Sequence, residues 1–209
     1  MKRLIYLLVA LPAFLLATVS LQSCLDDNDQ RPTYITIGTI HVLEGKEYYV
    51  AADNGTSIYP GDTTSLRHYT VTDGQRVIVH YTPLEESVSG YDVNAQLFWM
   101  EDILTKDILT LTDENSAEIG NDRINAASIW IAGDCLNIKY QLLGSNHPQK
   151  KHLLNMVILP QTAAEDDEYI TLQFRHNAYD DQGGRLVEGP VSFKLAAIAD
   201  QLKDKKGVK

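Results

Sequence analysis

The sequence predicts an all-β protein built from an OB-like β-barrel followed by an antiparallel β-sandwich. Three observations predict this. Apolar and polar residues alternate with a period of two in most segments after residue 33, as strands with one buried face require. The segments are separated by turn signals such as Asn54-Gly55 and Asp73-Gly74. And the texture changes near Lys106-Asp107, with about five strands before it and a second alternating series after it.

The first strand covers residues 34–42. It puts Ile35 and Ile37 on one face, then slips phase to Ile40 and Val42, with Gly38 at the slip. A glycine there indicates a bulge or sharp bend. Residues 46–52 form a second strand, with Tyr48 and Val50 in phase. Asp53-Asn54-Gly55 turns the chain, and residues 56–59 return until Pro60-Gly61-Asp62 breaks the strand. Over residues 75–82, Val77, Val79 and Tyr81 face opposite to Arg76, Ile78 and His80. Residues 91–104 form a long strand containing Phe98-Trp99. Five strands with a glycine-bent first member match a small closed barrel of the OB type.

Residues 112–120 read as one or two helical turns, with Thr112 or Asp113 as cap and Gly120 as stop. Beyond them Ile129-Trp130-Ile131 forms a strand-like segment. Leu136, Ile138, Tyr140 and Leu142 then share a face, as do Leu154, Met156 and Ile158. Ile170, Leu172 and Phe174 form a third set, and Val191, Phe193 and Leu195 a fourth. One apolar face per strand predicts two antiparallel sheets around a shared core. The expected boundaries are 34–106 for the barrel and 107–202 for the sandwich, with a frayed basic tail over 203–209.

The chain opens with Lys2-Arg3 and an apolar run from Leu4 to Val19. That run is shorter than the roughly 20 residues a membrane-spanning helix needs and fits a signal peptide. It ends in Leu21-Gln22-Ser23-Cys24, which resembles the lipobox of bacterial lipoproteins, although Gln22 departs from its strictest form. The resemblance implies cleavage after residue 23 and acyl chains, palmitate among them, on Cys24. Residues 24–33 are a polar acidic tether, too hydrophilic to bury themselves. They are similar to the export signal of surface lipoproteins in the Bacteroides group, and a spacer facing the periplasm reads equally well. The expected location is the outer membrane, lipid-anchored, facing the periplasm or the cell surface.

The chain has 209 residues and a formal charge of −10, and loss of Lys2 and Arg3 with the signal makes it more acidic still. Such a surface repels phosphate backbones, which excludes nucleic acid as the expected partner, and it does not seek anionic membranes. There are two cysteines. Lipidation of Cys24 leaves Cys135 without a disulfide partner, inside a strand pattern that suits a buried thiol.

Several pieces together resemble the NigD-like lipoproteins of the Bacteroides group. They are Asp73-Gly74-Gln75-Arg76-Val77, Ile103-Leu104-Thr105-Lys106, Asn115 with Ile119-Gly120-Asn121-Asp122, Ile129-Trp130-Ile131 with Gly133-Asp134, and Phe174-Arg175-His176-Asn177. The resemblance implies an N-terminal OB-like domain, a C-terminal sandwich, and a proposed bacteriocin-immunity role. It supplies no catalytic residue.

No Gly-x-Ser-x-Gly elbow or phosphate loop occurs, and His147 and His152 flank Pro148 without a metal-ligand motif. No enzyme activity, cofactor or metal site is expected. The acidic run 165–168 reads as a solvated loop, and Asp180-Asp181-Gln182-Gly183-Gly184 as a hairpin loop with left-handed glycines, with Ca²⁺ binding a weaker reading there. Arg175, His176 and Asn177 form the densest polar cluster at a strand end. They are either ligand contacts or groups satisfying backbone at a corner. Tyr48, Tyr49, Tyr59, Tyr69, Tyr81 and Tyr91 are either barrel packing or a platform for sugar or peptide. The expected function is a membrane-anchored, non-catalytic module engaging a protein partner through loops or a sheet edge. The alternative is an accessory glycan-binding lipoprotein of an uptake system.

Overall fold

The computed structural model describes residues 31–45, 47–145, 147, 150–159, 168–181 and 183–209. The signal segment, Cys24, residues 24–30 of the tether and residues 165–167 of the acidic run lie outside these. No described helix is long and apolar enough to cross a membrane.

Strands β1 (Tyr34–Val42), β2 (Tyr48–Ala52), β3 (Ser57–Asp62), β4 (Arg76–Pro83) and β5 (Val93–Asp102) close a barrel in the order β1-β2-β3-β5-β4. The interior collects the alternate residues of each strand. Ile40, Val50, Ile58, Val77, Val79, Ala95 and Leu97 are completely buried. Gly38 is where β1 changes partners. Its first residues pair with β4 and its last with β2, and Gly38 pairs with both, opposite Val77 and Ala52. A Cβ there would lie 2.6 Å from the Ala51 carbonyl oxygen and 2.7 Å from a Val50 methyl. Only a bare backbone lets the strand bend so sharply at the seam.

Pro60-Gly61-Asp62 does not end β3, contrary to the turn signal. The β2 ladder stops at Ile58, so no hydrogen bond to β2 is asked of Pro60. The strand continues beside β5 with a register shift between Pro60 and Asp62.

The sandwich consists of β6 (Thr105–Asp107), β7 (Leu109–Thr110), β8 (Asn125–Ala132), β9 (Cys135–Gly144), β10 (Leu153–Ile158), β11 (Tyr169–Ile170), β12 (Leu172–Asn177), β13 (Arg185–Lys194) and β14 (Gly207–Val208). One sheet has the order β6-β13-β9-β8 and the facing one β12-β10-β7. The long pairs are antiparallel, and three short flanking pairs, β6–β13, β7–β10 and β11–β14, are parallel. Leu136, Ile138, Leu142, Leu154, Met156, Val191, Phe193 and Ile198 form the core between the sheets.

Four local expectations change. The helical segment is one turn ending at Gly120 as expected, α1 (Ser116–Ile119), but its cap position is Asn115 and not Thr112 or Asp113, because Thr112 and Asn115 bond each other's backbone N–H groups and hold the residues between them as a turn. Ile170 and Leu172 fall in separate strands, with the Thr171 carbonyl accepting from the Leu159 N–H. Leu195 opens a 3-10 turn, Leu195–Ile198, rather than extending β13. The tail over 203–209 does not fray: β14 pairs with β11, and Lys209 exchanges backbone bonds with Ile170 and Leu172. Cys135 is a free, buried thiol whose pKa burial pushes up, so it is held unreactive.

Barrel and sandwich meet at a polar joint. Arg76 points outward from β4 but is only 1% exposed. It makes a two-pronged bond to Asp53, at 2.6 and 2.7 Å, and reaches Asn137 of β9 at 3.0 Å. The indole N–H of Trp130, on β8, donates to the same Asp53 at 2.6 Å. Ser192 of β13 donates to Asn137 at 2.7 Å. Thus the Asp-Gly-Gln-Arg and Ile-Trp-Ile pieces, far apart in sequence, face each other across this joint.

Candidate functional site

The predicted cluster lies at the end of β12. Arg175 donates to Gln173 and to the Gly120 carbonyl, and Asn177 donates to the Glu118 carbonyl at 2.8 Å. The Asn177 side-chain oxygen accepts from the Tyr179 N–H. Two members of the cluster therefore hold backbone groups around α1 and the following loop. His176 differs. It is 1% exposed, donates from Nδ1 to the Arg123 carbonyl, and sits 2.7 Å from Nδ1 of His152 through its Nε2. His152 in turn donates from Nε2 to Asp181 at 3.1 Å. Two neutral imidazoles carry two ring protons, so two of these three contacts hold a proton at any one time.

Burial pushes the His176 pKa down. The Ser145 backbone N–H, with His152, the Ser145 hydroxyl and the Gly183 N–H, holds the Asp181 carboxyl below the usual carboxylate range. Both shifts act in the same direction on stability. Below about pH 6.5 the unfolded chain takes up a proton that native His176 resists, and below about 3.8 the unfolded Asp181 protonates first. Stability is therefore expected to fall in two steps on acidification. Denaturant unfolding across pH 7.5 to 3 measures this, and Asp181→Asn should reduce the lower step, to which Asp62 and Asp92, also held below the usual carboxylate range by hydrogen bonds, contribute.

Tyr179 and Asp180 have positive φ values in this loop, and Gly184 does not. Gly183 is required for closeness, since a Cβ there would lie 2.0 Å from the Ser145 nitrogen. The Asp181 oxygens face inward to Ser145, His152 and Gly183. The alternation did not signal this cluster. The strand register could have: Leu154 pairs with His176, which makes His152 its diagonal neighbour.

A cleft of about 520 Å³ opens beside His176, between the start of β8, the end of β9 and the 178–184 loop. Its amides are committed to neighbours. Asn125 donates to Gln141, and Gln141 donates to Glu188.

The barrel tyrosines divide. Tyr81 is buried in the barrel interior, and Tyr48 and Tyr69 pack against it. Tyr49, Tyr59 and Tyr91 line up outside with His41, at centroid spacings of 5.1, 5.6 and 5.1 Å. Their planes are inclined by 21° to 53°, so the rings pack on one another rather than presenting a flat platform.

The third surface is the edge of the larger sheet. Among the described residues β8 pairs with β9 alone, so its other side is unpaired. Ile129 stands opposite Ile138 and Ile131 opposite Leu136, which places both on the core-facing side. Ile138 and Leu136 are buried, yet Ile129 and Ile131 are each 60% exposed. Among the described residues the facing sheet has three strands against four, and this apolar strip stands exposed at the edge of the larger one. Sheet edges are normally guarded by charge, proline or a bulge. Strand β8 has no charged residue and no proline, and its one register shift lies at its start, between Ala126 and Ser128.

Two family models match the chain: the NigD-like N-terminal OB domain over residues 37–103 and the NigD-like C-terminal beta sandwich domain over residues 107–209. No curated protein matches it. Several solved structures are similar. One is a protein of unknown function from Bacteroides vulgatus, 28% identical, covering 85% of this chain and 83% of its own, with a TM-score of 0.70. Another is a toxin-related protein from Parabacteroides distasonis, 29% identical, covering 79% of each chain, with a TM-score of 0.65. A third is a NigD-like immunity protein from Bacteroides caccae, 17% identical, covering 82% and 79%, with a TM-score of 0.60. With both of its domains matched in order, the chain belongs to the NigD-like family.

Proposed function

We propose that this chain is a non-catalytic binding module, held at the cell envelope by lipid on Cys24, that accepts an extended segment of a partner protein along β8. The observation that carries this reading is the unguarded edge with its exposed Ile129 and Ile131. An added strand would satisfy the free backbone groups of β8, and its inward side chains would cover the two isoleucines. A protein partner is further supported by the relatives described as toxin-related and as an immunity protein, and it brings an antagonistic toxin into view as that partner. The inclined tyrosine rings favour a glycan platform less. The mutual bonding of polar groups around the cleft supports binding rather than chemistry. The Leu-Gln-Ser-Cys sequence ending at Cys24 supports the anchor.

The test is crosslinking and affinity capture from intact cells with the native chain and with an Ile129→Lys, Ile131→Lys variant. Lysines on an edge strand repel an incoming strand, and both sites are exposed, so the fold is retained. Capture of one partner protein is expected to fall by about tenfold or more, the equivalent of ~1.4 kcal/mol. Equal capture by both chains contradicts the reading. Cells lacking the gene should also become sensitive to the cognate toxin, and unchanged sensitivity removes the immunity version.

A further inference from the structure

We infer that a second apolar surface, on the outer wall of the barrel, rests on the membrane that carries the anchor. Ile35, His80 and Trp99 are direct neighbours across β1, β4 and β5. The Phe98 ring, brought outward at a register shift, lies 5.9 Å from His80. Ile35 is 70% exposed, Trp99 47% and Phe98 36%. Behind this row, Ile37 and Ile78 pair and are half-buried. An apolar strip crossed at its middle by His80, with an exposed tryptophan at one end, calls for an explanation that scattered surface residues do not.

The occupant follows from where the strip lies in the chain. Ile35 is the second residue of β1, and eleven positions separate it from Cys24. A chain of that length reaches at most about 40 Å, at ~3.6 Å per residue. Lipid on Cys24, the reading on which this inference rests, would therefore keep the strip beside the bilayer. Three or four apolar side chains are too few to bind a membrane alone, but a short tether supplies the high local concentration that makes a weak contact count. Tryptophan is the side chain that favours the headgroup region. The charges nearest in the fold and in the chain are mostly acidic: Glu101 on the same wall, and Glu85 and Glu86 just after β4, against Arg31 before β1. The strip therefore suits neutral zwitterionic lipid and is opposed by anionic lipid.

The full lipidated chain, reconstituted in phosphatidylcholine vesicles with brominated acyl chains, tests this. The protein has two tryptophans, and Trp130 sits at the domain joint, bonded to Asp53. Bromine should reduce emission of the native chain and leave that of Trp99→Phe unchanged, while Ile35→Asp weakens the quenching without releasing the protein. A chain that sediments with vesicles but shows no bromine effect overturns the inference and leaves the anchor standing. A chain that does not sediment overturns both. Crosslinking of Trp99 to another protein in place of quenching also overturns it, assigning the strip to that partner.

Discussion

Arg76→Ala is expected to lower stability by about 3–5 kcal/mol, the loss typical of removing one member of a buried ion pair. The guanidinium is 1% exposed and carries bonds to Asp53, Asn137, Thr39 and Ser192. Truncation leaves the Asp53 carboxylate with the Trp130 indole in place of a cation and takes a donor from Asn137. Because these partners come from both domains, the change should also alter cooperativity. A single denaturant transition should split into two as barrel and sandwich uncouple. Replacing the pair together, with Arg76→Met and Asp53→Leu, should be milder than Arg76→Ala alone, since no buried charge is then left without its counter-ion. Equilibrium unfolding in a Trp99→Phe background, followed by Trp130 fluorescence and by far-ultraviolet dichroism, reads both effects.

Gly120→Ala is expected to destabilise by about 3–5 kcal/mol, combining backbone strain with overpacking. Gly120 has φ 73° and ψ 179°, a region essentially reserved for glycine. A Cβ there would lie 2.7 Å from the Asn177 Cβ, 2.8 Å from the His176 carbonyl oxygen and 2.9 Å from the Asn177 Cα. Two of these atoms are backbone and cannot swing aside. The same displacement would pull at the Asp122 N–H bond to His176 and at the Asn177 bond to α1. Gly45, whose φ is also positive but whose Cβ direction is open, provides the control: alanine there should cost far less. Thermal unfolding of the two variants side by side measures the difference.

Much of the fold was legible because alternation reports one buried face. Val77, Val79 and Tyr81 share one face by pattern and that face is buried, and the phase slip at Gly38 marks the bend that lets β1 serve two neighbours. The same pattern placed Arg76 on the opposite face, where a charged residue would ordinarily meet water. Alternation cannot reveal that a second domain covers that face. For the same reason Trp130 read as part of a strand and not as a partner of Asp53. Pro60 misled because its effect depends on whether a neighbouring strand needs its N–H, which only the ladder reveals. The tail misled because its charge suggested solvent, while Val208 packs against the sandwich core and the backbone finds β11.

Of the candidate surfaces, Arg175, His176 and Asn177 were visible as a dense polar run, but their main contacts are with backbone and with His152. The β8 edge was hidden by its own composition. Ile129-Trp130-Ile131 looks like core, and Ile129 and Ile131 do lie on the core side; their place on the edge strand leaves them exposed.

Amide hydrogen exchange along β8, in the isolated chain and in the complex captured from cells, tests the central claim most directly. The N–H groups of residues 128–132 that do not bond β9 should exchange rapidly in the isolated chain. They should be strongly slowed in the complex, together with reduced labelling access around Ile129 and Ile131. Protection that appears elsewhere while these amides continue to exchange rapidly would contradict strand addition at this edge.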